Sequence, residues 1–196
     1  MAQMNEKEIL ITGFGGQGIV LTGNILGKAA TLYDKKHATM THSYGPEARG
    51  GFCSSQVVIS ESEILFPYVE APQVLICMSK DGYQKNAGSL VPGGLLIWDT
   101  DLVEPAELDR SWTVYNIPAT RFAEELGNKM MANIVMLGFL SAVSDLVSPD
   151  SLEQAVLKSV PPKTVEKNSV AFDRGREYGK EILKSRAKQD QNRERP

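Results

Sequence analysis

Ile9-Leu10-Ile11 is a short apolar run that meets the cluster Gly13-Phe14-Gly15-Gly16-Gln17-Gly18. Beyond it Ile19, Leu21, Ile25, Leu26, Ala29, Ala30 and Leu32 recur at the spacing of one helical face. The pattern predicts strand, tight turn, helix. Gly23 and Gly27 are four apart and share a helical face, where they permit close contact with a neighbour. Tyr33-Asp34-Lys35-Lys36 breaks the helix, and Ala38-Thr39-Met40-Thr41-His42 predicts a second strand.

Further strands are predicted at Cys53–Ser60, at a short Ile64-Leu65-Phe66 closed by Pro67, at Val74–Met78, at Leu95–Asp99 and at Trp112–Tyr115. The unbroken apolar run Val74-Leu75-Ile76-Cys77-Met78 suits a central parallel strand covered on both faces. Helices are predicted from Lys80 to about Ala87, from Thr120 to Leu126, from Met130 to Val143, from Pro149 to the Pro161-Pro162 break, and from Val165 to about Leu183. Strands alternating with helices imply a single α/β domain, Rossmann-like, with a mostly parallel sheet flanked by helices and a helical C-terminal part. The domain is expected to span residues 8–183, between a flexible N-terminus (1–7) and a charged, disordered tail (184–196). The Met130–Val143 helix is apolar almost all round, so it is either core or interface, and interface is favoured in a chain of this size. Its polar exception, Asn133, needs a hydrogen-bonding partner if buried.

The first turn carries the candidate chemistry. Gly13, Gly15 and Gly18 fit G-x-G-x-x-G, with Gly16 as a fourth glycine. Such a turn leaves free N–H groups at a helix N-terminus, which favour an anion. A dinucleotide site also needs an acid at the tip of the second strand. That strand runs instead into Ser43-Tyr44-Gly45-Pro46, with no Asp or Glu at its tip. The glycines therefore serve an anion or simple close packing of helix on strand, with a dinucleotide as the less favoured alternative. The richest loop follows, Thr41 to Gly51, in which Tyr44, Glu47 and Arg49 lie between Gly45-Pro46 and Gly50-Gly51. The planar fork of Arg49 suits a carboxylate or phosphate. The loop is either an anion- or subunit-contacting element or a solvated surface turn.

Composition narrows the class. The 196 residues carry a net charge of −3, which argues against a general nucleic-acid binder. Cys53 and Cys77 form no C-x-x-C pair and are too few for an iron–sulfur cluster on this chain. The polar start and the absence of a span-length apolar stretch predict a cytoplasmic protein without a membrane segment. His37 and His42 show no metal-ligand spacing, and H-E-x-x-H, G-x-S-x-G and P-loop patterns are absent. The sequence thus offers a binding apparatus without a catalytic residue, as befits one subunit of a larger enzyme.

Gly13-Phe14-Gly15-Gly16-Gln17-Gly18 followed by Ser43-Tyr44-Gly45-Pro46-Glu47-Ala48-Arg49-Gly50-Gly51 resembles the gamma subunit of 2-oxoacid:ferredoxin oxidoreductases, as do Asn133 and Met136-Leu137-Gly138 later on. The resemblance implies a subunit of an enzyme that oxidatively decarboxylates a 2-oxoacid to an acyl-CoA, with electrons passing to ferredoxin. It implies that thiamine diphosphate and magnesium are held by alpha and beta subunits, that iron–sulfur clusters lie on other chains or domains, including a ferredoxin-like delta subunit where one exists, and that this chain binds none of them independently. CoA enters as co-substrate. Pro46–Gly51 with Ser54–Ser60 looks most like the 2-oxoglutarate branch, with the pyruvate, branched-chain and indolepyruvate enzymes as alternatives and a stand-alone nucleotide-binding module as the rival outside the family. The residues expected to face cofactor or neighbouring subunit are Gly13, Gly15, Gly16, Gln17, Gly18, Ser43, Tyr44, Gly45, Glu47, Arg49, Gly50, Gly51 and Asn133. Self-association of the isolated chain through its apolar helix stays open.

Overall fold

A computed structural model describes residues 6–45 and 50–193. The elements run β1 (Lys7–Phe14), α1 (Ile19–Lys28), β2 (His37–Tyr44), β3 (Phe52–Ser60), β4 (Val74–Cys77), α2 (Lys80–Asn86), β5 (Leu95–Asp99), β6 (Thr113–Ile117), α3 (Ala119–Glu125), α4 (Ala132–Val143), α5 (Pro149–Ser159) and α6 (Val165–Arg193). Six strands form one sheet in the order β2-β3-β1-β4-β5-β6. The pairs β1–β4, β4–β5 and β5–β6 are parallel, whereas β1–β3 and β2–β3 are antiparallel. The predicted α/β architecture holds, with one departure from a plain Rossmann order. The β2–β3 hairpin inserts β3 beside β1, so β2 lies two strands away, at the sheet edge. The place where a ribose-binding acid would stand is therefore filled by β3, whose Cys53 is registered with Gly13 on one side and Tyr44 on the other.

Both predicted faces of the central strands are covered. Ile9, Ile11, Ile76 and Ile97 pack with α1, α4 and Phe172 of α6 on one face, while Leu10, Leu75, Leu96 and Trp98 pack with Tyr83 on the other. No residue of β4 reaches the surface, as its continuous apolar run requires.

Helix α4 is core. Ten of its twelve residues are buried, and α6 lies directly against it. A Cβ on Gly138 would collide with the Phe172 carbonyl, and one on Gly175 with the Val135 carbonyl, so two reciprocal glycines bring the backbones together. This corrects the interface expectation for 130–143: the long α6 supplies the cover that the chain was expected to find in a second protein. Helix α6 also overruns its predicted end at Leu183, continuing to Arg193 through the segment expected to be a disordered tail. Lys184-Ser185-Arg186-Ala187-Lys188-Gln189 contains good helix formers and neither Gly nor Pro. Arg186 anchors it by donating to the Val114 carbonyl at the β6 edge and lying over the Tyr115 ring, 4.1 Å from its centroid.

Ile64–Phe66 is not a strand. Both edges of the preceding β3 are already taken, by β2 and β1, so the segment cannot fold back beside it as a hairpin partner. Gly23 packs onto Ser55 of β3 as its close-contact role required, while Gly27 faces open space. Asp34 ties the end of the first helical segment to the start of α5, accepting from Ser148 N (2.7 Å), Ser148 Oγ (2.9 Å) and Ser151 Oγ (2.5 Å). Among the described residues no helix is long and apolar enough to cross a membrane.

Candidate functional site

The glycine turn sits at the C-terminal end of β1, where parallel strands commonly present ligand sites. Gly16 (φ 101°) and Gly18 (φ 77°) adopt the left-handed backbone that L side chains resist. Gly18 is also the N-cap of α1, with no side-chain cap. Gln17 braces the turn from inside: its Oε1 accepts from Phe14 N (2.6 Å) and its Nε2 donates to the Met78 carbonyl (2.8 Å), stitching the turn to the end of β4. A Cβ on Gly13 would stand 2.5 Å from both Gln17 Oε1 and Ile19 Cδ1. One on Gly18 would stand 2.5 Å from Asn133 Nδ2. Close packing thus explains these two glycines.

Asn133 is buried, and it donates to the Gly18 carbonyl over a long 3.4 Å. The polar exception in the apolar helix is accounted for: it meets the glycine turn across 115 residues of sequence.

The two glycine-rich motifs also touch. Gly15 N donates to the Gly51 carbonyl at 2.9 Å, and a Cβ on Gly15 would lie 3.6 Å from Gly50 N. Gly50 has φ 75°, and Gly45 N donates to the Phe52 carbonyl at 2.7 Å. Ser43 and Tyr44 belong to β2, not to a loop, and Tyr44 is exposed with its ring 5.2 Å from that of His42. Glu47 and Arg49, with Pro46 and Ala48, lie outside the described residues.

Beside the turn opens a cleft of about 440 Å³. Its floor is Phe14, Gly15, Gly16, Gly18 and the first turn of α1, Ile19 to Leu21. Tyr44 and Cys53 form one wall; Asn128, Met130, Met131 and Asn133 form another. Val160, Pro161, Thr164, Lys167 and Asn168 close it from the start of α6. These last residues and Asn128 escaped the sequence reading because they follow no motif; only the packing of α6 on α4 brings them round. Among the described lining residues none is acidic and one, Lys167, is a permanent cation. Together with the N-terminal N–H groups of α1, this gives the cleft positive character.

Its buried thiols and the nearby Asp99 carboxyl are all shifted upward by burial. Burial raises the Cys53 thiol above its ordinary value, so it stays protonated and poorly nucleophilic near neutrality. Behind it Cys77, against Thr12, is pushed by burial up to about 12, the Thr12 hydrogen bond opposing the shift. Further along the same sheet edge burial also raises Asp99, although Asp99 accepts from Thr120 N (2.9 Å), Thr120 Oγ1 (2.6 Å) and Asp101 N (3.0 Å) and so caps α3. Among the described residues no group of three or more His, Cys, Asp or Glu is placed to hold a metal ion. Among the described residues the cleft places no nucleophile beside a base.

Fold and cleft together define an α/β domain with a glycine-floored cleft at the end of its first strand. The chain belongs to the pyruvate ferredoxin/flavodoxin oxidoreductase family, whose model matches residues 8–178. It is 50% identical over 178 residues to the 2-oxoglutarate synthase subunit KorC of Methanocaldococcus jannaschii, covering 90% of this chain and 95% of that protein. It is 48% identical to the corresponding subunit of Methanothermobacter thermautotrophicus, covering 87% and 94%. Among solved structures it is similar to the gamma subunit of a keto/oxoacid ferredoxin oxidoreductase from Geobacter sulfurreducens, with a TM-score of 0.76, 36% identity, and coverage of 88% and 98%. The family resemblance read from the glycine turn and the Tyr44 motif is borne out.

Proposed function

We propose that this chain is the gamma subunit of a complex that oxidatively decarboxylates 2-oxoglutarate to an acyl-CoA and passes the electrons to ferredoxin in the cytoplasm. The observation that carries the reading is the 50% identity to a 2-oxoglutarate synthase subunit over nearly the whole of both chains. In the proposal, thiamine diphosphate supplies the decarboxylation chemistry on the alpha and beta subunits. Magnesium and the iron–sulfur clusters also lie on other chains, among them a ferredoxin-like delta subunit where the complex has one.

This chain's own part is binding and orientation. The glycine turn, Tyr44 and the Gly50-Gly51 pair form one continuous rim in the proposal, held by the Gly15–Gly51 and Gln17–Met78 hydrogen bonds. The α1 N-terminus and Lys167 would receive an anionic group such as the CoA phosphates, and Arg49 would add a planar fork from the neighbouring loop, oriented by Glu47. The rim Cys53 thiol, kept neutral by burial, takes no part.

The assembled complex provides the test. Arg49→Ala and Lys167→Ala are each expected to raise KM for CoA by about tenfold, the size of one charge-assisted hydrogen bond, and to leave KM for the oxoacid unchanged. Unchanged assembly and unchanged kinetics for both substrates would remove the anion role. Turnover of a 2-oxoacid by the lone chain, or failure to co-purify with thiamine-binding chains, would remove the subunit reading as a whole.

A further inference from the structure

The segment from Glu61 to Gln73, which carries the chain from β3 to β4, has no regular structure, yet its second half is pinned. Val69 N donates to Gln56 Oε1 at 3.0 Å. Glu70 N and Ala71 N both donate to Glu8 Oε2, at 2.7 and 2.8 Å. Gln73 exchanges two bonds with Glu8, its N donating to the Glu8 carbonyl (2.9 Å) and its Oε1 accepting from Glu8 N (2.5 Å). At the other end Ser60 Oγ accepts from Ser62 N at 3.1 Å.

Between these anchors the chain holds apolar side chains out to solvent. Leu65 is 86% exposed, Phe66 48% and Tyr68 54%. The two rings are 5.4 Å apart, so they present one surface with Leu65 beside them. Single exposed apolar residues are ordinary; three within four residues on a pinned loop are a patch of the composition that anchors interfaces. Pinning also lowers the ordering cost of docking.

The charge around the patch selects the partner. Glu61, Glu63 and Glu70 are exposed beside it, and residues 50–79 contain no Lys or Arg. Lys36 pairs with Glu61 at 3.3 Å, which leaves Glu63 and Glu70 as the acidic rim. A two-fold contact between copies of this chain would set that rim against itself, which like charges oppose. The surface fits instead a different chain that offers an apolar pocket rimmed by Lys or Arg.

We propose that Leu65, Phe66 and Tyr68 with their acidic rim are the docking surface for a thiamine-binding subunit of the oxidoreductase complex, one whose facing patch is apolar at its centre and basic at its edge. The proposal rests on the subunit reading given above and adds to it the place of attachment. The loop leaves the sheet at the end where Lys7 and Ile59 pair, while the cleft stands at the opposite end, where Phe14 and Phe52 pair. Attachment there leaves the anion cleft free.

The test uses the complex co-expressed from all its subunits. The double variant Leu65→Asp/Phe66→Asp is expected to weaken association at least ~100-fold, as loss of two interface anchors does, and so to lose co-elution with the thiamine-binding chains. The thermal midpoint of the isolated variant should match wild type. A second variant, Glu63→Lys/Glu70→Lys, keeps the apolar centre and is expected to weaken association roughly tenfold, by less at high salt. Co-elution of the double variant at wild-type strength overturns the docking surface. So does a change in self-association of the isolated chain with the complex intact. Should the double variant prove unfolded, the charge variant decides alone: wild-type affinity and salt dependence overturn the proposal. A wild-type chain that joins no thiamine-binding subunit overturns the functional reading itself, a different outcome from an intact complex that ignores Leu65 and Phe66.

Discussion

The most apolar helix in the chain, α4, and the short loop Leu65–Tyr68 invite opposite expectations and exchange them in the fold. Helix α4 looks like an interface and is core, because α6 folds back over it and two glycines let the backbones meet. The loop looks like a strand and is surface, because β3, the strand it follows, is already paired on both sides. Apolarity records that a segment must be covered. It does not record whether the cover comes from the same chain.

The contrast can be broken at several points. Phe139, fully buried between Tyr115 and Tyr178, should be the most costly single truncation: Phe139→Ala is expected to lose about 3–5 kcal/mol in urea unfolding, or roughly 10 °C in thermal midpoint. A smaller loss would mean that α4 is not packed as described. Next, Gly175→Ala drives a methyl group into the Val135 carbonyl and should destabilise by about 2–3 kcal/mol, whereas Gly27→Ala, with open space at its Cβ, should be neutral or slightly stabilising. Equal effects at the two glycines would contradict the α4–α6 crossing.

A third measurement concerns the attachment of α5 beside α4. Burial alone would raise the Asp34 carboxyl, but hydrogen bonds from Ser151 and Ser148, with the nearby Lys36 charge, bring it below its ordinary 3.8. The unfolded chain thus binds that proton more tightly than the folded one. Asp34 stabilises fully above pH 3.8, and its contribution is lost as pH falls through the lower folded value. Asp34→Asn should therefore lower stability at neutral pH and flatten the stability profile below about pH 4. An unaltered acid limb in a urea series against pH would contradict the tether. The smallest expected effect is at the loop: Leu65→Asp should change the stability of the isolated chain by less than about 0.5 kcal/mol, because its side chain is already in water.

Much of the site was legible because it is local. Gly16 and Gly18 follow from φ, Gly13 and Gly18 from close approach, and Gln17 lies within the same six residues. Asn133 was legible as a buried amide in want of a partner, but not as a partner of Gly18. The hairpin that moves β2 to the edge was not legible, since β2 alternates like any half-buried strand and nothing in it states which neighbour it takes. The far wall of the cleft was missed for a similar reason: Asn128, Thr164 and Lys167 are polar residues in ordinary surroundings until α6 turns back.

Taken alone, the amino-acid order determined most of the elements, the family and the glycine turn, because backbone conformation and side-chain periodicity act over a few neighbouring residues. Strand order, the burial of α4, the cleft and the exposed aromatic loop were decided only by tertiary structure. Each depends on which of several equally apolar or equally extended segments reaches a given neighbour first, and that competition is settled by packing the whole chain at once.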